Sequence, residues 1–197
     1  MAKVTGPLFS VDARGKIADT LVFMGWRGLK TVRRWLKPAN PRTAKQVATR
    51  ECFSNAVTLH HGLSAADKAA LRLSASGQPY SGFNLFVGWV KAALDAAKTW
   101  VSYKDVTGTP GAAGSGTITI AGSASAAVDL KIRYGLTTAL LDGEVASVTP
   151  AGTPLVFSQA VTGLLANRTY YFKLEVASPG ANQGQTGIYS FVSPAAE

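Results

Sequence analysis

"RTYYFKLEVAS", Arg168–Ser178, is the stretch on which the fold of the second half turns. It is rich in aromatic and β-branched residues, and five similar runs lie around it: "GTITIAG" (116–122), "VDLKIRYG" (128–135), "GEVASVTPAG" (143–152), "PLVFSQAVTGL" (154–164) and "TGIYSFVS" (186–193). They recur about every dozen residues with Gly, Pro, Asn and Ser between them, the spacing of a β-sandwich. The expectation is an all-β module over 117–197.

Upstream of these runs the composition breaks at "TGTPGAAGSG", Thr107–Gly116. Small and turn-forming residues leave it little to bury, which predicts a linker or first edge strand within 101–116. Before the break, helical periodicity dominates. "SAADKAALRLSA" begins at Ser64, with Asp67 three residues on in a capping-box-like arrangement. "SGFNLFVGWVKAALDAAKTW" carries Phe83, Phe86, Val87, Val90, Leu94 and Ala97 on one helical face. In "LKPANPRTAKQVATRECF", Leu36–Phe53, Asn40 is placed to cap a helix, and Pro41 suits its first position because its missing N–H would have no partner there. Pro38 forces Lys37 out of the α region. Ala44, Val47, Ala48, Cys52, Ala56 and Leu59 then form an expected core stripe. Gly62 is the expected helix end, with His60 and His61 in the last turn.

The chain enters this helical region through "KIADTLVFMGW" and "LKTVRRWL", which flank Arg27 and Gly28 and read as a β-hairpin. Gly28 can take the positive φ of the tight turn. Val22, Met24 and Trp26 face one way, Leu21 and Phe23 the other, and Arg33 and Arg34 fall on opposite faces. Neither face is built for water. An isolated hairpin is marginal in water, so completion by a neighbouring subunit is favoured over cover from its own helices. The fold expected is therefore two-domain, α+β followed by all-β. Residues 1–100 form a basic hairpin plus a three-helix module for attachment and homo-oligomerisation.

The 197 residues are 47% hydrophobic and 16% charged, which marks a folded chain. Residues 1–100 hold fifteen Lys and Arg against five Asp and Glu, and residues 101–197 hold five against six. All of the net charge of +9 thus belongs to the first half, as expected of modules with separate partners. No apolar run reaches the roughly 18–20 residues of a membrane span, and "MAKVTGPLFS" lacks a signal-peptide core, so a cytoplasmic origin without membrane insertion is expected. A single cysteine excludes an internal disulfide and a multi-cysteine zinc site.

Two resemblances extend this reading. "TGLLANRTYYFKLEV", Thr162–Val176, resembles the E–F corner of fibronectin type III domains, whose pattern in bacterial and phage proteins is T-G-L-x-P-x-T-x-Y-Y-F. Thr162, Gly163, Leu164, Tyr170, Tyr171 and Phe172 match, while Ala166 and Arg168 depart from it. The resemblance covers roughly 103–194 and assigns Tyr170 as the tyrosine-corner residue, its hydroxyl bonded to the backbone upstream. The first module resembles an uncharacterised family of tailed-phage and prophage genomes over about residues 4–95. Pro38, Asn40, Pro41, Arg42, Thr43 and Gln46 match its P-x-N-P-R-T-x-x-Q, and Ser81, Gly82, Phe83, Asn84 and Phe86 match its S-G-[YF]-N-x-F. The family's glycine before the hairpin's "VF" is Asp19 or Thr20 here. This resemblance implies a virion-associated structural protein (capsid, neck or tail) and carries no catalytic assignment.

The residues with chemical potential weigh the same way. Cys52 lies on the apolar stripe, and His60, eight residues on, is about 12 Å along the helix and out of hydrogen-bond reach. His60 and His61 point in different directions, so no metal site is expected. No P-loop, G-x-S-x-G or G-x-G-x-x-G appears, and the expectation is a non-enzyme without cofactors. Arg27, Lys30, Arg33, Arg34, Lys37, Arg42 and Lys45 fall within nineteen residues, interleaved with Trp26 and Trp35. Trp26, Arg27, Arg33, Arg34, Trp35, Arg42 and Lys45 are the expected docking residues, with other virion proteins as partners. Nucleic acid is the alternative: basic groups neutralise phosphates while tryptophans stack on bases. A host-surface glycan or protein is a further candidate partner for the C-terminal module, on fold analogy alone.

Overall fold

The structure, a computed structural model, describes residues 2–3, 15–18, 20–26, 29–37 and 39–196. It is mixed α and β, with three helices and many strands in several sheets. The chain falls into two compact units, Met1–Thr43 and Ala44–Glu197.

The first unit is an antiparallel sheet of β1 (Ala2–Lys3), β2 (Gly15–Ile17), β3 (Leu21–Trp26) and β4 (Leu29–Arg34), in the order β1-β4-β3-β2. The expected hairpin is β3–β4, paired from Leu21↔Arg34 to Trp26↔Leu29. Its tip, Arg27 and Gly28, lies outside the described residues, so the turn conformation expected of Gly28 does as well. The run from Lys16 to Trp26 is two strands rather than one. Ala18 takes φ 39, and Thr20 donates to Ile17 O from both its amide and its Oγ1 at 2.9 Å, which turns β2 back along β3.

The second unit opens with α1 (Ala44–His61), α2 (Ala65–Ser74) and α3 (Gly82–Asp95). The expected Asn40–Pro41 helix start is displaced: α1 begins at Ala44, because Arg42 adopts φ 49, a left-handed conformation no right-handed helix can contain. Thr43 and Gln46 then stand at the Thr-x-x-Gln spacing of a capping box, a local signal that Asn40 and Pro41 had masked. Pro38 lies outside the described residues. The expected core stripe of α1 is also corrected. Ala44, Val47 and Ala48 are exposed, Cys52 and Leu59 half-buried, and Ala56 alone is buried. Of this stripe, Ala56 and Leu59 join the apolar cluster that α1 shares with α3. The expected helix end holds, with Gly62 N donating to Thr58 O.

The other helices follow their sequence signals. Ser64 caps α2 with the reciprocal Asp67 bonds of a capping box, and Ser81 caps α3 by accepting from Asn84 N at 3.3 Å. Phe86, Val87 and Val90 of α3 are buried with Ala56, Leu63, Leu71, Ala93 and Trp100, while Phe83 and Leu94 pack at the edge of that cluster. Gly82 permits the contact of α3 with α2, since a Cβ there would stand 2.7 Å from the Leu71 carbonyl carbon.

After α3 come β5 (Thr99–Trp100), β6 (Tyr103–Pro110), β7 (Ile118–Ala124), β8 (Leu130–Gly135), β9 (Gly143–Val148), β10 (Val156–Val161), β11 (Thr169–Val176), β12 (Asn182–Gln183) and β13 (Tyr189–Val192). A three-stranded sheet, β10-β7-β6, and a four-stranded sheet, β13-β11-β8-β9, share one apolar core. Ile118, Ile120, Leu130, Ile132, Phe172 and Leu174 are at most 1% exposed within it. The alternation that sends Tyr170, Phe172, Leu174 and Val176 inward along β11 is the period of two that a half-buried strand requires. Part of the "TGTPGAAGSG" stretch is strand: β6 continues to Pro110 as the edge of its sheet, where a proline costs no ladder bond on the open side.

The division expected at residue 100 does not follow the contacts. α2 packs on β6 and β13, β5 pairs in parallel with β12, and Ala44–Glu197 is one unit.

Candidate functional site

The expected docking residues lie on the first unit and at the start of α1. Pairing across the sheet decides which face each takes. Arg33 opposes Val22, which opposes Lys16, so these three share one face with Met24 and Thr31. Arg34 opposes Leu21, which opposes Ile17, and they share the other face with Phe23 and Val32. Each face therefore mixes basic with apolar side chains. Arg33 and Arg34 are exposed and Trp35 half-buried, with Lys16 Nζ over the Trp35 ring at 4.5 Å. Arg42 and Lys45 are exposed. The Trp26 side chain and Arg27 lie outside the described residues. Among the residues of 15–43 whose side chains are described, none is buried. Phe23, Val22, Met24 and Val32 are only half covered, and Leu36 is 71% exposed.

The second unit carries a polar junction that sequence reasoning did not find. Strand β6 slips register between Lys104 and Thr107, and Asp105 takes φ 54 in that bulge. A bulge frees backbone N–H groups from the ladder. Asp67 takes them: its Oδ2 accepts from Asp105 N at 3.0 Å and its Oδ1 from Val106 N at 3.4 Å. Oδ1 also accepts from Tyr189 Oη at 2.7 Å, and Oδ2 from Ser64 N at 3.2 Å. Four donors meet a carboxylate that is 2% exposed, which offsets the cost of burying it. Burial, followed by the Asp67 charge and hydrogen bond, pushes the Tyr189 phenol well above its ordinary value of 10.0.

Around this carboxylate, α2 and the strands approach backbone to backbone. Ile188 N donates to Ser74 Oγ at 2.8 Å and to Ala70 O at 3.2 Å, while Ser74 Oγ donates to Ala70 O at 3.0 Å. A Cβ on Gly187 would stand 2.3 Å from the Ala70 carbonyl carbon, so only glycine fits. Asp67 was legible as a capping residue because Ser64 is three positions away. Its bonds to residues 38, 39 and 122 positions away have no local signature.

The expectations for the remaining residues divide. Tyr170 Oη accepts from Leu165 N at 3.0 Å, a bond to upstream backbone as expected. His60 packs its ring 5.0 Å from that of Phe83 and 5.8 Å from that of Phe86, with His61 6.4 Å away. Among the described residues no three His, Cys, Asp or Glu side chains are grouped as metal ligands, and no helix is long and apolar enough to cross a membrane. On the outer face of the four-stranded sheet, Lys131 and Arg133 lie among Glu144 and Glu175 at 2.7–3.6 Å. Arg133 Nε is 2.7 Å from Glu175 Oε1 but off the line of a hydrogen bond, so the contact is an ion pair. These charges neutralise one another.

Comparison with known proteins adds little. No family model matches the chain, and no curated protein matches it. Among solved structures, the FN5 domain of Drosophila Lar is 16% identical at a TM-score of 0.36, covering 49% of this chain and 97% of that one. The sensor domain of the anti-sigma factor RsgI4 of Pseudobacteroides cellulosolvens is 15% identical at a TM-score of 0.36, covering 49% of this chain and 90% of its own.

Proposed function

We propose that this chain is a non-enzymatic structural protein of a bacteriophage particle, docked through its basic N-terminal sheet and presenting its C-terminal sheets outward. The observation that carries the docking role is the exposure of this sheet: Val22, Phe23, Met24 and Val32 are half exposed, and among the residues of 15–43 whose side chains are described none is buried. A sheet whose described apolar side chains are only half covered gains little of the burial that stabilises a sheet in water, and a partner surface or further copies of the chain would supply it. The basic side chains on both faces suit an acidic protein surface.

The C-terminal part is read as a fibronectin type III-like sandwich. Its β10-β7-β6 and β13-β11-β8-β9 strand orders and the Tyr170 bond at the corner before β11 support that assignment. The phage setting rests on the motif resemblance of residues 4–95. Multivalent display would let weak contacts with a host-surface glycan or protein add to useful avidity.

Nucleic-acid binding is the weaker reading. Lys16 covers the Trp35 ring, and the arginines are split between faces rather than lining one groove. Density maps of intact particles, with mass spectrometry of their proteins, test the main proposal. Sedimentation of the purified full chain tests its self-association. Absence from particles together with a monomer at high concentration would overturn it. Steeply salt-dependent binding to DNA or RNA would favour the alternative.

A further inference from the structure

We propose that β13 is an open sheet edge to which a second copy of this chain adds its own β13, antiparallel about a two-fold axis at Phe191. β13 pairs with β11 on one side, and among the described residues no strand pairs with its other side. Ser193 N donates to Arg168 O, which fixes the phase of the β11–β13 ladder. Backbone groups alternate sides along an antiparallel strand, so Phe191 turns its N–H and C=O toward β11, while Ile188, Ser190 and Val192 turn theirs away. Ile188 agrees with this phase: its N–H leaves the sheet and donates to Ser74 Oγ and Ala70 O of α2. The helix thus occupies the first outward position. Ser190 and Val192, the next two, are exposed, Val192 to 56%.

Open strand edges invite pairing, and proteins guard them with bulges, prolines and charges. The edge strand β6 has its bulge at Asp105 and ends in Pro110, and the edge strand β9 carries Glu144 and a register shift against β8. Tyr189–Val192 has none of these devices: its pairing with β11 is regular and its residues are uncharged. Charge and size select a second copy as the occupant. No charged residue lies from Thr186 to Ala196, so two chains of net charge +9 meet at this edge without like charges in the contact. About Phe191, Ser190 of each copy exchanges both backbone bonds with Val192 of the other. The two half-buried Phe191 rings then form a non-hydrogen-bonded pair, the kind in which side chains stand closest. So short a strand pair buries far less than the roughly 1,200–2,000 Å² of a stable interface, and a free protein in dilute solution would not hold it. A neighbouring copy, raised to about millimolar effective concentration by assembly through the first unit, would. The contact rests on the proposed assembly for its strength in the particle, and on β13 for its place.

Amide hydrogen exchange of the purified full chain, read residue by residue from dilute to millimolar concentration, is the test. The Ser190 and Val192 amides should slow with concentration, to about half their dilute rate when half of the chains are paired, and the Phe191 amide, bonded to β11 already, should change less. Val192→Lys places a charge on the exposed edge and should abolish the slowing at Ser190 without moving the denaturation midpoint. Ser190→Pro, which removes an outward N–H and no bond to β11, should do the same at Val192. Rates independent of concentration into the millimolar range would overturn the proposal, as would slowing that persists in both folded variants. Slowing seen only with an added particle protein would make that protein the occupant and overturn the second copy. Absence of the chain from particles would sink the structural role and leave this concentration dependence standing.

Discussion

Tyr189 Oη donates a 2.7 Å hydrogen bond to Asp67 Oδ1, tying the last strand to the first turn of α2 across 122 residues of sequence. The same carboxylate caps its own helix and holds the two amides freed by the β6 bulge. One side chain thus finishes a helix end, a strand irregularity and a tertiary contact.

Replacing Asp67 by Ala strands two buried donors, Val106 N and Tyr189 Oη, and two part-buried ones, Ser64 N and Asp105 N, with about 1–3 kcal/mol for each buried donor left unpaired. The expected loss is about 3–5 kcal/mol in urea unfolding. Tyr189→Phe removes one charge-assisted bond and should cost about 1.5–3 kcal/mol. The double variant should show a coupling above about 0.5 kcal/mol, and strict additivity would count against a direct Asp67–Tyr189 bond.

Gly187→Ala places a Cβ against the backbone of Ala70, which cannot swing aside as a side chain could. The expected destabilisation is about 1–3 kcal/mol. Gly180→Ala, where an added Cβ meets nothing, is the control and should stay within about 0.5 kcal/mol.

His60 gives the helices a pH dependence with a definite sign. Burial against the aromatic rings, then Lys68, His61 and Arg72, hold its pKa below the ordinary 6.5. The folded state prefers the neutral ring, so its contribution is complete above pH 6.5 and is lost as pH falls below that value. Thermal melts from about pH 7 to 5 should decline more for the wild type than for His60→Gln. Parallel curves would remove His60 as the cause.

Tyr170→Phe leaves Leu165 N without its acceptor while keeping the ring packed against Phe172. A loss of about 0.5–1.5 kcal/mol is expected from chemical denaturation. Hydrogen exchange at the Leu165 amide should accelerate in parallel, and an unchanged rate would deny the bond.

Substituting Arg33 and Arg34 by Ser together should weaken particle association while leaving the unfolding of Ala44–Glu197 within about 0.5 kcal/mol, since both side chains are exposed on the first unit. Competition by added salt on the wild type provides the electrostatic check.

Most helices and strands were legible in the sequence because their signals are local. The Ser64–Asp67 box, the aromatic face from Phe83 to Val90 and the alternation in β11 each act within one element. The start of α1 was misplaced because Asn40–Pro41 is a strong cap signal in isolation, whereas Arg42 breaks the helix path before Thr43. The stripe from Ala44 to Cys52 has helical spacing, but spacing says only which residues share a face and not whether anything covers it.

Composition and periodicity by themselves determined the basic first half, the hairpin, the helices and the run of short strands. Only the tertiary structure decided that the helices and strands from Ala44 to Glu197 form one unit, because that depends on Asp67, Gly187 and Ile188 meeting partners far away in sequence. Long-range hydrogen bonds and backbone contacts leave no periodic trace in the chain. They arise where a bulged strand offers free amides and a capped helix holds a carboxylate within reach.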